Sequence, residues 1–205
     1  MTRRRISIFP LTGAILLPGM QLPLHIFEPR YRALVSDALA RDRMIGMIQP
    51  KADGKTASLF DVGCLGRIED VEALEDGRYN IVLEGLQRFT LTKELDVTTA
   101  FRQIEAELWE EDEMSEALSI AERAALEIES RRFADAQGYV VDWKSVEQLD
   151  DYSLVNIVAQ IAPFDGAAKQ ALLEARGLGN RSELIIQLMQ FFGRHDGSDD
   201  RVTLQ

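Results

Sequence analysis

The sequence predicts an α+β fold: a small β-barrel subdomain over residues 1–110, followed by a helical subdomain with one long helix over residues 111–205. Three observations predict it. Apolar residues alternate with a period of two through most of the first half. They recur at intervals of three and four through the second half. Turn dipeptides such as Pro18-Gly19 and Asp76-Gly77 punctuate the first half. The change of period falls near Glu110, where no Pro/Gly/Ser-rich linker stands.

The first half reads as short strands around Ile6–Ile8, Leu22–Ile26, Met44–Ile48, Cys64–Val71, Tyr79–Leu83, Arg88–Leu95 and Phe101–Trp109. Asp76-Gly77 between two β-prone runs is a hairpin signal. One helix interrupts the strands. Glu28-Pro29 starts it, because proline is tolerated at the first helical position and an acid there suits the helix dipole. Tyr31, Leu34, Val35, Ala38 and Leu39 give its buried face, and it ends near Arg41.

In the second half, Met114, Leu118, Ala121, Ala125 and Ile128 are spaced as one buried stripe of a long helix that Gly138 terminates. Leu149–Ala162 forms a second helix, stopped by Pro163. Asp165 caps a short third, and Asn180 with Glu183 has the spacing of a capping box opening the last.

Composition bounds the function. Hydrophobic residues at 46% with 28% charged fit an ordinary globular chain able to bury its own core. The single Cys64 excludes an intrachain disulfide. Apolar runs of about five residues fall far short of the roughly 20 that span a bilayer. No apolar segment follows Arg3-Arg4-Arg5, so a secretory signal is not expected and a cytoplasmic location is. The net charge of −11 is lopsided: residues 1–109 carry −1 and residues 110–205 carry −10. So acidic a half repels phosphate backbones, which opposes nucleic-acid binding. Arg30, Arg32, Arg41 and Arg43 are the support for an RNA-binding reading, and acids alternate with them.

Catalytic signatures are missing from the sequence. There is no phosphate-binding G-x-x-x-x-G-K-[ST], no H-E-x-x-H and no G-x-S-x-G. One cysteine and two distant histidines make no structural zinc site. No catalytic, metal-binding or cofactor-binding residue is assigned. Cys64, inside an apolar strand, reads as a buried structural thiol. His25, between Leu24 and Ile26, is either a hydrogen-bonded structural histidine or part of a ligand site.

The stretch Ile8-Phe9-Pro10-Leu11, then Leu16, Pro18-Gly19 and Leu22-Pro23-Leu24-His25-Ile26-Phe27-Glu28-Pro29-Arg30-Tyr31, resembles the opening of the amino-terminal domain of the Lon protease family. Asp61-Val62-Gly63-Cys64-Leu65-Gly66-Arg67-Ile68 continues the resemblance, as does Asp76-Gly77-Arg78 through Gly85-Leu86-Gln87-Arg88-Phe89. A weaker match runs from Lys169-Gln170-Ala171-Leu172-Leu173-Glu174 to Arg181. The resemblance implies a PUA-like β-barrel followed by a helical subdomain. It also implies a module that recognises unfolded or tagged polypeptides. The ATPase and Ser-Lys protease modules of full-length Lon proteases have no matching residues here, so no enzyme activity is expected. The alternatives are an adaptor for a separate protease or other protein partner, and a PUA-like RNA-binding domain. No membrane partner is expected, and a homo-oligomer is left open. For polypeptide binding, the expected residues are Leu16, Leu17, Met20 and Leu22, in an apolar loop with a pliable methionine. The competing reading of the same loop is that its side chains fill the barrel.

Overall fold

The computed structural model describes residues 2–52, 54, 56–110 and 115–195. The chain forms two compact units, 1–111 and 112–205.

Unit 1 is built on β1 (Arg3–Pro10), β2 (Gln21–Ile26), α1 (Pro29–Leu39), β3 (Met44–Pro50), β4 (Leu59–Ala73), β5 (Tyr79–Leu95) and β6 (Gln103–Leu108). Five strands close a ring. β1 runs parallel to β3 with Ile8 opposite Gly46, and antiparallel to β6 with Ile6 opposite Ile104. β3, β4, β5 and β6 then pair antiparallel in succession, and Phe89 opposite Leu108 joins β5 to β6. Closure removes open strand edges from the barrel. Its interior holds Ile6, Ile8, Ile48, Leu65, Phe89 and Ile104, at about the 25 cal/mol per Å² that apolar burial contributes. β2 lies outside the ring. It pairs with the front of β5, with Leu24 opposite Ile81 and Ile26 opposite Tyr79.

The spacing of apolar residues suggests two strands, 79–83 and 88–95, but β5 is one strand of 17 residues. The register of β4 against β5 shifts at Leu65/Gly66 and again at Ile68/Asp70. Such bulges bend a ribbon sharply without ending it. The back of β5 can therefore serve the barrel while its front serves β2.

α1 begins where expected, with Glu28 in extended conformation and Pro29 in the first turn, and buries Tyr31, Leu34, Val35 and Ala38. The segment Ile15-Leu16-Leu17 forms no strand, yet all three side chains are buried.

Unit 2 comprises α2 (Ile120–Gln137), α3 (Trp143–Glu147), α4 (Asp151–Ile161), α5 (Gly166–Glu174) and α6 (Leu178–His195). α2 and α4 both pack on α6 around Leu126, Phe133, Leu154, Val155, Ile185 and Met189. The buried face of α2 corrects the sequence reading. Leu126, Glu129, Ser130, Phe133 and Ala134 face inward, whereas Ala121, Ala125 and Ile128 are exposed. Met114 lies outside the described residues. The reason is size: Phe133 and Leu126 bury far more area than alanines, and they carry Glu129 and Ser130 inward between them. Ser130 Oγ meets Met189 Sδ at 3.8 Å, and Arg132 lies 3.6 Å from the Glu129 carboxylate.

A second correction concerns capping. Ser119 and Glu122 form the true capping box, at the start of α2. α6 already begins at Leu178, so Asn180 is inside it, and its amide donates to the Arg176 carbonyl at 2.8 Å. Asp165 caps α5 as the spacing indicates, accepting from the Ala168 N–H at 2.8 Å.

Candidate functional site

Unit 1 carries a groove of about 380 Å³ between the end of β2 and the start of α1. Its residues come from the run Leu24-His25-Ile26-Phe27-Glu28, from Arg30 and Tyr31 of α1, and from Phe9-Pro10-Leu11 at the end of β1. The local sequence explains this. β2 must stop before Pro29 so that the helix can start, and the two residues between strand and helix belong to neither pattern. Phe27 is one of them, and its ring remains 61% exposed.

Packing holds the floor rigid. The rings of Phe9 and Tyr31 meet edge to face at 4.3 Å between centroids. The Tyr31 hydroxyl donates to the Pro10 carbonyl at 3.1 Å. Burial pushes the Tyr31 hydroxyl above its ordinary range, partly opposed by the charge of Arg30. The Arg30 guanidinium lies over the Tyr31 ring at 4.3 Å and donates to Glu28 at 2.9 Å. The two charges at that rim thus hold each other.

His25 lines the same groove, and its ring stacks beside Phe27 at 6.1 Å. A row of hydrogen bonds fixes its tautomer. Asn80 donates through Nδ2 to Glu72 at 2.7 Å, so Asn80 Oδ1 accepts from His25 Nδ1 at 2.7 Å. His25 Nε2 is left facing Arg78 Nη1 at 3.3 Å. His25 is thus a hydrogen-bonded residue of β2, as the structural reading expects, and it also borders the groove.

The four loop residues expected to bind polypeptide lie elsewhere. Leu16 and Leu17 are buried at 1% and 0% exposure, so their side chains offer no surface as they stand. Met20 and Leu22 are half-buried. The turn between Leu17 and Met20 is held by the Gly19 N–H donating to the Gly85 carbonyl at 2.8 Å and the Gly85 N–H donating to the Met20 carbonyl at 2.9 Å. None of the four lines the groove. Leu24, Phe27 and Tyr31 line it instead, and neither periodicity singles them out as site residues. The available signal was a large aromatic at the junction of a strand and a Pro-started helix, a position that neither periodicity can bury.

Cys64 is buried, and burial pushes its thiol up to about 12, the wrong direction for a nucleophile. Among the described residues no group of three or more His, Cys, Asp or Glu could hold a metal ion. Among them too, no helix is long and apolar enough to cross a membrane. Two of the arginines behind the RNA reading are engaged by acids: Arg30 by Glu28, and Arg41 by Asp37 at 3.0 Å.

Known proteins share this fold. The chain is 26% identical over 196 residues to Lon protease 2 of Myxococcus xanthus, covering 90% of this chain and 23% of that protein. It is 26% identical over 183 residues to Lon protease 2 of Herpetosiphon aurantiacus, covering 84% of this chain and 22% of that protein. The chain thus spans less than a quarter of these relatives. Its fold matches the Lon N-terminal domain protein of Xanthomonas campestris, with a TM-score of 0.69 at 21% identity over 90% of this chain and 98% of that one. It matches the N-terminal domain of the Mycobacterium avium complex Lon protease equally well, with a TM-score of 0.69 at 20% identity over 91% and 98%. The family model of the ATP-dependent protease La (LON) substrate-binding domain matches residues 5–190, and the chain belongs to that family.

Proposed function

We propose that this chain is a non-catalytic polypeptide-recognition module, binding unfolded or tagged polypeptides through the groove between β2 and α1. The observation that carries this reading is Phe27: a large ring, mostly exposed, at the mouth of a groove floored by Phe9, Ile26 and Tyr31. An apolar mouth over a rigid aromatic floor suits loosely specific contacts with apolar side chains of an unfolded chain. Membership of a substrate-binding family supports the same reading. Met20 and Leu22 offer a second, half-buried apolar contact, with Leu16 and Leu17 beneath them as support.

The test is fluorescence anisotropy with a labelled unfolded polypeptide. Phe27→Glu places a charge in the mouth without touching a buried position, and binding is expected to weaken about tenfold or more, as for a central aromatic contact. Unchanged binding in a folded Phe27→Glu protein would sink the proposal. Leu17→Glu is a poor probe, because a charge at that buried site would unfold the barrel.

A second reading is that of an adaptor, with unit 2 docking a protein partner. On α2, Ile120, Ala121, Ala124, Ala125 and Ile128 form an exposed apolar stripe. It lies in the half of the chain that carries −10, which favours a partner with an apolar patch rimmed by basic side chains. Affinity capture with wild type and Ile128→Glu tests it, and identical recovery of partners by both would remove it.

A further inference from the structure

We infer that the groove takes its polypeptide as an added β-strand, laid in extended conformation along the free edge of β2. The inference rests on the polypeptide-recognition reading and specifies how the ligand is held. β2 stands last in the strand order and, among the described residues, pairs with β5 alone. One of its long edges is therefore open. The groove follows that edge. Leu24, His25 and Ile26 are consecutive in β2, so their side chains point to alternate faces of the sheet. All three line the groove, whereas a hollow on one face would touch only every second residue. None of the β5 residues lines it, which puts the groove on the side of β2 away from β5.

Hydrogen-bond parity tells which backbone groups face the groove. In an antiparallel pair, alternate residues turn their N–H and C=O toward the partner strand, and the residues between turn theirs away. The Gly85 N–H donates to the Met20 carbonyl at 2.9 Å. The register then runs unbroken from Gln21 opposite Glu84 to Ile26 opposite Tyr79. Met20, Leu22, Leu24 and Ile26 thus address β5, and Gln21, Pro23 and His25 address the open edge. Pro23 agrees with this, since proline is tolerated in a strand where it owes no N–H to its neighbour. His25, an exposed residue, is left with a backbone N–H and C=O directed to the open side. Among the described residues neither group has a hydrogen-bond partner.

Along this edge the Pro23 carbonyl, the His25 N–H and the His25 carbonyl present partial charges that are negative, positive and negative. Their complement is another extended backbone, which brings N–H, C=O and N–H in the same order. Such pairing is blind to sequence, as recognition of many unfolded chains requires. The groove beside it adds an apolar seat next to Phe27 and Tyr31 for a side chain of the added strand. A second copy of this chain is a poorer occupant. Two β2 edges brought together would each present Pro23, and its missing N–H blunts edge-to-edge pairing.

The test is titration of the full chain with fluorescent decapeptides of one apolar sequence. One is unmodified. The second carries N-methyl groups on the even-numbered backbone amides, and the third on the odd-numbered ones. An added strand turns one set of amides to β2 and the other to solvent. One methylated peptide is therefore expected to bind about tenfold or more weakly, and the other within about threefold of the unmodified peptide. Exchange of the His25 amide hydrogen should slow about tenfold at saturating peptide. His25→Pro, which removes that N–H, should bind about fivefold more weakly than His25→Ala, which keeps it. The methylated peptides use the unaltered chain, so they decide the matter even where His25→Pro fails to fold. Equal binding of the two methylated peptides, with all binding lost in Phe27→Glu, would overturn strand addition and leave the recognition reading in place. Protection of the His25 amide that grows with protein concentration in the absence of peptide would show two copies pairing and overturn the choice of occupant. No binding of any peptide would overturn both readings.

Discussion

The carbonyl oxygen of Leu17 occupies the space that a Cβ on Gly85 would need. This contact seats the Leu16-Leu17 loop on the bend of β5, and with it the turn that leads into β2. Backbone cannot yield as a flexible side-chain tip can. Gly85→Ala is therefore expected to destabilise unit 1 by about 1–3 kcal/mol or more, as overpacking does. Gly138, with φ +71 and open space around it, supplies the contrast. Gly138→Ala should cost only about 1 kcal/mol, from conformation alone. Urea unfolding of both variants checks the order, and equal losses would mean that the Leu17 contact is slack.

Arg181 is fully buried in unit 2 and donates to the Leu172 carbonyl at 3.1 Å, the Ala175 carbonyl at 2.9 Å and Asn156 Oδ1 at 2.9 Å. It closes the carboxyl end of α5 and ties it to α4. Removing it strands several buried acceptors, each at about 1–3 kcal/mol. Arg181→Leu should lower the stability of unit 2 by about 3 kcal/mol or more. Arg181→Lys should not restore it, because an ammonium cannot span the same fork. Thermal unfolding of the two variants provides the comparison, and a near-wild-type midpoint for either contradicts this account.

Helix starts offer a test that separates sequence pattern from structure. Ser119 accepts from the Glu122 N–H at 3.2 Å, and Glu122 returns the bond to the Ser119 N–H at 2.7 Å. Ser119→Ala should cost about 1 kcal/mol. Asn180→Ala, inside α6, should cost less, since it loses one exposed bond to the Arg176 carbonyl. The reverse order in a denaturation series would show that α6 starts at Asn180 in solution.

Cys64 gives a pH dependence with a definite sign. Burial raises its thiol from 9.0 to about 12, and the N–H of Gln87 and the charge of Arg88 oppose this only in part. Above the ordinary pKa the unfolded chain releases a proton that the folded chain keeps, so stability is present below about pH 9 and falls as pH rises toward 12. The slope from this one group is at most about 1.4 kcal/mol per pH unit. Cys64→Ala should lose that part of the slope, seen as unfolding free energies that converge on the wild type between pH 9 and 11. Parallel curves would show that the thiol titrates normally and is not sealed in the folded protein.

The sequence by itself determined the order of most elements, though not the union of two runs into β5 nor the short α3, because periodicity reports which side of each strand or helix meets a core. Alternation placed β2 and β3 and the start of α1, and Glu28-Pro29 marked that start through backbone sterics alone. The Lon-like run from Ile8 to Tyr31 carried the family, because turn glycines and prolines are set by local geometry. Local pattern was a poorer guide where packing arbitrates. The small residues of α2 had helical spacing, yet Phe133 and Leu126, being larger, took the buried face. Asn180 and Glu183 had cap spacing, yet Leu178, fully buried, drew the helix start three residues earlier.

The groove was the least legible feature. Its walls come from residues 9–11, 24–28 and 30–31, which meet only because β1 and β2 end beside α1. An apolar loop such as Ile15-Leu16-Leu17 looks the same in sequence whether it fills a core or faces water. Only the tertiary structure decided that these three are buried and that Phe27 is not, because burial depends on which chain segments close over a side chain, and those segments lie far away in sequence.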